Sequence, residues 1–278
     1  MTGAAGGIGR AIVDTLLADG VIVIAVDRDA AGLTALVAEQ EATRPGAALH
    51  VRPVDLTDTA EVDALVDWVE AEIGPISGLV NGAGVIRSGS AMSQTDDDWA
   101  TVHATNVGGV MRMSRAVTRR MAVRQRGAVV TIGSNAAAVA RDGLSAYAAS
   151  KAAAKQYTLS LGIEVAPLGI RCNVVSPGST DTPMLRGAWE EPTPRPLTPV
   201  PVEDDGTVAA PPAPETATAA LERRVIAGTP EAFWPGVPLG RIAQPQDIAE
   251  AVCFLLSDRA RHIALHDLRV DGGATLGA

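Results

Sequence analysis

The chain has 278 residues, 47% of them hydrophobic, and a formal net charge of -9. That length can bury a full core as one large domain, and the negative charge disfavours binding to nucleic acid or to an anionic membrane surface. No apolar run reaches the length of a membrane span and no signal-peptide pattern opens the sequence, so a cytoplasmic protein is expected.

Glycines at 3, 6, 7 and 9 come first, followed by a helical pattern over 8–18. Such a loop lets the backbone approach a pyrophosphate, which rests on the helix N-terminus near Ile8, so Gly3, Gly7, Ile8 and Gly9 are candidate cofactor residues. The run at 21–26 (VIVIAV) predicts a strand buried on both faces, as in a parallel sheet. Asp27 closes it, about 20 residues after the glycines, where a carboxylate takes ribose hydroxyls. A carboxylate there repels a 2′-phosphate, which favours NAD over NADP, and Arg28 next door is the counter-argument. The alternation continues with a helix at 31–42, a strand at 48–54, a helix at 59–73 and a strand at 78–81. Beyond these come a helix at 99–124, strands at 128–132 and 170–175 around a helix at 146–165, then a helix at 245–256 and a strand at 267–270.

This order predicts one α/β domain over 1–278, a doubly wound parallel sheet of Rossmann type with helices on both faces. A glycine loop of this kind follows a strand, yet only Met1 and Thr2 precede it. The first, central strand is therefore expected to be missing from the sequence, with the true start upstream and a valine GTG codon taken as initiator. The Pro-rich stretch at 191–215 reads as a mobile insertion in a substrate lid.

Only two tyrosines and two lysines occur, and Tyr147 and Lys151 stand four apart in a helical pattern. Residues at that spacing share one helix face, and a cation beside a phenol favours the phenolate, bringing a poor base towards its working range. Lys155 and Tyr157, on the same helix, read as surface and packing. Cys172 and Cys253 sit in apolar stretches without ligand spacing, and neither they nor the four histidines suggest a metal.

With the glycine loop, Tyr147 and Lys151 together, the chain resembles the short-chain dehydrogenase/reductase family over its whole length. Asn81-Gly82-Ala83-Gly84 is similar to a family motif after the fourth strand, Asn106 to its catalytic asparagine, and Ser134, thirteen residues before Tyr147, to its serine. Asp55 resembles the adenine-binding aspartate, and Ser176-Pro177-Gly178 with Thr180 and Thr182 resembles the segment that meets the nicotinamide. The resemblance implies Tyr147 as base, Lys151 as the group that lowers its pKa and contacts the nicotinamide ribose, Ser134 as orienting donor and Asn106 as anchor of a proton-relay water. It also implies NAD as cofactor and a homotetramer. The segments 171–182, 237–245 and 270–278 are similar to family members that oxidise a cyclohexadiene diol carboxylate to a catechol used in siderophores. A carboxylate substrate calls for a cation, and Arg87 and Arg141, on loops beyond the fourth and fifth strands, are the candidates. Three other readings stay open: an amino analogue as substrate, an NADPH ketoreductase, and a non-catalytic nucleotide sensor.

Overall fold

The computed structural model describes residues 1–190, 217–228 and 236–275. The Pro-rich stretch at 191–215 lies outside them. Six strands are described: β1 (Val23–Asp27), β2 (Leu49–Pro53), β3 (Gly78–Asn81), β4 (Gly127–Ile132), β5 (Ile170–Pro177) and β6 (Asp267–Val270). All pair in parallel, β1 with β2 and β3 through β6 in sequence order. The expected strands are all present, with ends shifted by up to two residues.

Parallel strands buried on both faces alternate their side chains between two helical layers. Leu79 and Val129 face one core with Val62 and Val66 of α3 (Thr59–Trp68) and Met113, Val117 and Met121 of the long helix over 110–124. Val80 and Val130 face the other, with Ile12 of the helix over Gly7–Ala18 and Ile248, Val252 and Leu255 of the helix over Pro245–Leu256. In chain order the helices are α1 (Gly7–Ala18), α2 (Ala30–Thr43), α3, α4 (Asp96–His103), α5 (Val110–Arg124), α6 (Ser145–Val165), α7 (Pro183–Glu190), α8 (Ala217–Ala227) and α9 (Pro245–Leu256). Arg171 stitches the far end of the sheet, its guanidinium donating to the carbonyls of Leu255, Leu256 and Ser257 at 2.6, 3.1 and 3.2 Å. Those are the free carbonyls that close α9.

Two expectations need correction. Val21 and Ile22 are exposed, because they precede the first ladder pair, Val23 with Leu49, and no neighbouring strand covers them. The single helix expected at 99–124 is broken: α4 gives way to a wider turn over Ala104–Gly109 before α5 begins. A π-type turn of this kind inserts an extra residue per turn and often sits at a functional site.

Between β1 and β3 the described chain is only Met1 to Ala4. Thr2 bridges Val26 on one side and Asn81 on the other, in parallel. The Thr2 N–H donates to Val80 O at 3.0 Å, and the Ala4 N–H to Val26 O at 3.1 Å. The Met1 amine donates to Ile24 O at 2.9 Å, and burial pushes its pKa down to about 5. These few residues satisfy backbone groups of both half-sheets that would otherwise lack partners.

Candidate active site

The predicted site residues converge at the carboxyl ends of the strands, where ligands bind in sheets of this type. Gly3 takes a left-handed φ of +72°, and a Cβ there would stand 2.6 Å from the Ala83 nitrogen. A Cβ on Gly9 would lie 1.9 Å from Gly3 O. The glycine loop is thus folded onto itself and against the β3 loop with no room for side chains. Gly9→Ala is expected to cost about 1–3 kcal/mol through forced backbone shifts, read as a lower urea midpoint; an unchanged midpoint would refute the packing argument. Gly6, the N-cap of α1, supplies no side-chain cap, so the helix presents its own N–H groups at the loop.

Asp27, half-buried at the end of β1, accepts the Ala5 N–H at 3.1 Å and the Asp29 N–H at 3.1 Å. Its carboxylate therefore faces the glycine loop. Asp55 is exposed and accepts both the N–H and the hydroxyl of Thr57 at 2.8 Å, which together hold its carboxyl below the ordinary range. Thr180 donates to Gly178 O at 3.1 Å, and Thr182 packs on Gly7, where a Cβ would meet its methyl at 2.9 Å. The segment from Pro177 to Thr182 therefore closes one wall of the same cleft. The Asn81 side chain turns away from the cleft. Only 2% exposed, it donates to Ser114 Oγ at 2.9 Å and Thr131 Oγ1 at 3.3 Å, inside the core.

Lys151 is 5% exposed and its Nζ donates to Ile132 O at 2.9 Å, 5.8 Å from the Tyr147 ring centre. Burial pushes this ammonium down to about 8. Tyr147 keeps partial exposure, yet the protein crowded around it raises the phenol above its ordinary value, and a hydrogen bond with the Ser134 side chain opposes that rise. Desolvation, which disfavours the charged form, is the largest influence on both groups.

Asn106 sits in the wide turn and is 1% exposed. Its Oδ1 accepts the Val85 N–H at 2.8 Å, and its Nδ2 donates to Val85 O and Ser150 Oγ, both at 2.9 Å. Ser150 donates in turn to Tyr147 O at 2.7 Å. Every polar atom of the Asn106 amide is therefore spent on holding the β3 loop against α6. Gly84 on that loop leaves no spare space, since a Cβ would reach 3.2 Å from Lys151 Nζ. Ser150, read from the sequence as packing or a backbone bond, is the link that joins Asn106 to the base of Tyr147.

The two arginines separate. Arg87 is exposed, pairs with Asp98 at 3.5 Å and donates to Ile86 O. Arg141 is half-buried; burial lowers its pKa and the negative charge of Asp271 opposes that. Their loops touch, the Gly89 N–H donating to Gly143 O at 2.9 Å. Lys155 is not a free surface lysine: it forms a mostly buried ion pair with Asp267 at 3.2 Å. Among the described residues, no group of three or more His, Cys, Asp or Glu could hold a metal ion.

Comparison with known proteins agrees with this geometry. The family model for short chain dehydrogenases matches residues 1–193, and that for enoyl-(acyl carrier protein) reductases matches residues 208–275. A 2,3-dihydro-2,3-dihydroxybenzoate dehydrogenase of Bacillus subtilis is 42% identical over 277 residues, 100% of this chain and 95% of the relative. A 3-oxoacyl-[acyl-carrier-protein] reductase of Escherichia coli is 34% identical over 98% of this chain and 95% of its own length. Among solved structures, levodione reductase has a TM-score of 0.83 at 28% identity, covering 100% of this chain and 96% of the other. A Brucella melitensis 3-ketoacyl-(acyl-carrier-protein) reductase complexed with NADH has a TM-score of 0.78 at 26% identity, covering 99% and 96%. Both the sequence and the fold place this chain in the short-chain dehydrogenase family.

Proposed function

We propose that this chain oxidises a cyclohexadiene diol carboxylate, 2,3-dihydro-2,3-dihydroxybenzoate, to 2,3-dihydroxybenzoate, with NAD as cofactor. One observation carries this reading: the Ser134–Tyr147–Lys151 group stands at the carboxyl end of β4 in a chain 42% identical, end to end, to a dehydrogenase of that name. The bound nicotinamide would take up the hydride. Gly3, Gly7, Ile8 and Gly9 with the α1 N-terminus suit its pyrophosphate, and Asp27 suits ribose hydroxyls, with Asp55 beside the adenine. Pro177, Gly178, Thr180 and Thr182 would line the nicotinamide end. The main chain at Asn81, rather than its side chain, would face the cofactor.

In the reaction, Tyr147 as phenolate takes the proton of a substrate hydroxyl as the carbinol C–H bond gives up its hydride. Ser134 donates to the reacting oxygen and fixes its direction. Lys151 supplies positive charge next to the phenolate as it forms. Asn106 keeps the β3 loop and α6 together; since its amide is fully engaged, a relay water would rest on its main-chain carbonyl. The ketone so formed loses a ring proton and gains one on oxygen, and the aromatic catechol that results draws the reaction forward.

Arg141 is the favoured carboxylate partner over Arg87, because it lies half-buried on the loop before Tyr147 whereas Arg87 is turned outward to Asp98. A charge-assisted hydrogen bond contributes about 1.5–3 kcal/mol. Arg141→Ala is therefore expected to raise KM for the carboxylate substrate about 10–100-fold and to leave a neutral cyclic diol within about threefold; equal losses on both would remove Arg141 from the role. The same reading includes a cytoplasmic, single-domain protein. It also includes a homotetramer, supported by the exposed Val123 on α5 and Ile163 on α6. No described helix is long and apolar enough to cross a membrane.

The deciding experiment follows NADH formation from the dihydrodiol acid, with NADP, the amino analogue and a 3-oxoacyl thioester plus NADPH run alongside. Turnover of the diol acid with NAD preferred about 100-fold, the scale of one like-charge contact between Asp27 and a 2′-phosphate, is the expected result. Faster reduction of the thioester with NADPH would replace this reading by the ketoreductase one.

A further inference from the structure

Lys155 lies one helical turn beyond Lys151 and two beyond Tyr147 on α6, so the three side chains form one stripe. Its ammonium meets Asp267 Oδ2 at 3.2 Å, and the two side chains keep only 22% and 17% exposure. The other carboxylate oxygen accepts the Ser176 hydroxyl at 2.5 Å. Ser176 is 1% exposed and is the last residue but one of β5, two residues before Gly178. Its Oγ stands 2.7 Å from the point a Cβ on Gly133 would occupy, and the Gly133 N–H donates to Val175 O at 2.7 Å. Gly133 is the residue between Ile132, whose carbonyl holds Lys151, and Ser134, whose side chain meets the phenol.

We propose that Lys155 and Asp267, acting through Ser176, are positioning residues that hold the exit of β4 in register with α6 and so set Ser134 against Tyr147. Past the Thr158 hydroxyl, which donates to Thr131 Oγ1 at 2.8 Å inside β4, the helix grips this exit directly, by Lys151 on Ile132 O, and indirectly, by Lys155 through Asp267 and Ser176. Without the indirect grip, Gly133 keeps its bond to Val175 O but loses the fixed Ser176 hydroxyl packed against it, and Ser134 can drift. Catalytic geometry tolerates about half an ångström, and a misplacement of about 1 Å costs on the order of a hundredfold in rate. Removing one partner of this mostly buried pair also costs global stability, so the positioning role is read from local order at the β4 exit relative to distant amides, and from kcat.

The test compares wild type with Lys155→Met, Asp267→Asn, Ser176→Ala and Lys155→Arg by hydrogen exchange of the Gly133–Ala137 amides and by steady-state kinetics. Ala136 N–H donates to Ser134 Oγ at 3.1 Å, so its exchange reports directly on that side chain. Expected in the first three variants is exchange at 133–137 faster by about tenfold beyond any change in the α3 and α5 amides. Lys155→Arg should keep the pair and restore wild-type exchange. On the diol acid, kcat should fall about 10–100-fold while KM for NAD stays within about threefold. Unchanged exchange at 133–137, or loosening spread evenly over the molecule, would overturn the proposal, and Ser176→Ala keeps it testable should a charge variant fold poorly. The kinetic arm rests on the dehydrogenase reading but the exchange arm needs no substrate, so an inert wild type with the same local loosening would sink that reading and leave this one standing.

Discussion

Tyr147→Phe is expected to lower kcat for the diol acid by about three orders of magnitude, within the 10²–10⁴ range of general acid–base catalysis. The ring stays, so packing and cofactor affinity should hold, with KM for NAD within about threefold and no fall in thermal midpoint. Only the oxygen that takes the substrate proton is lost. The structure adds a reason for a large effect: burial already holds the phenol above its ordinary value, and the Ser134 hydrogen bond is what opposes it. Ser134→Ala should therefore fall in the same direction, and the double variant should be little worse than Tyr147→Phe, because the two side chains act on one oxygen. Retention of more than about a tenth of wild-type kcat in Tyr147→Phe would mean that another group takes the proton.

The second large effect concerns Lys151 and carries a sign that can be worked out. Its ammonium falls from 10.5 to about 8 on folding, through burial. At about 1.4 kcal/mol per unit, carrying that buried charge costs about 3 kcal/mol at pH below 8. Between pH 8 and 10.5 the unfolded chain binds more protons than the native one, so this residue makes wild-type stability rise with pH through that window. Lys151→Met removes the titration and leaves Ile132 O without its donor at every pH. The stability of the variant relative to wild type should therefore be about 2–3 kcal/mol more favourable at pH 7 than at pH 10, read from urea midpoints at both. At pH 7, where the folded lysine is still charged, activity should drop at least a hundredfold, because the positive charge beside the forming phenolate is gone. A pH-independent difference would show that Lys151 keeps an ordinary pKa in the folded chain.

Much of the architecture could be read directly from residue order. Gly78–Asn81 and Asp267–Val270 were placed to the residue, because short apolar runs between polar turns leave few ways to pair. The helix over Pro245–Leu256 was equally plain, with proline at its first turn and apolar positions on one face. The break between α4 and α5 was not visible, since apolar spacing continues through Ala104–Gly109. What holds it open is Asn106 clamped onto Val85, a residue of another loop. Lys155 was misread for a similar reason: its partner Asp267 lies 112 residues away.

By itself the sequence determined the strand–helix alternation, the glycine loop with Asp27, and the pairing of Tyr147 with Lys151 on one helix face. These depend on spacing along the chain, which periodicity and steric rules translate directly into geometry. Tertiary structure alone decided that Asn81 turns inward to Ser114 and Thr131, that Arg141 is half-buried while Arg87 faces out to Asp98, and that burial moves the phenol and the ammonium in opposite directions. Each of those outcomes is set by which distant groups come within a few ångströms and by how much water they displace. Neither quantity is written in any local run of residues.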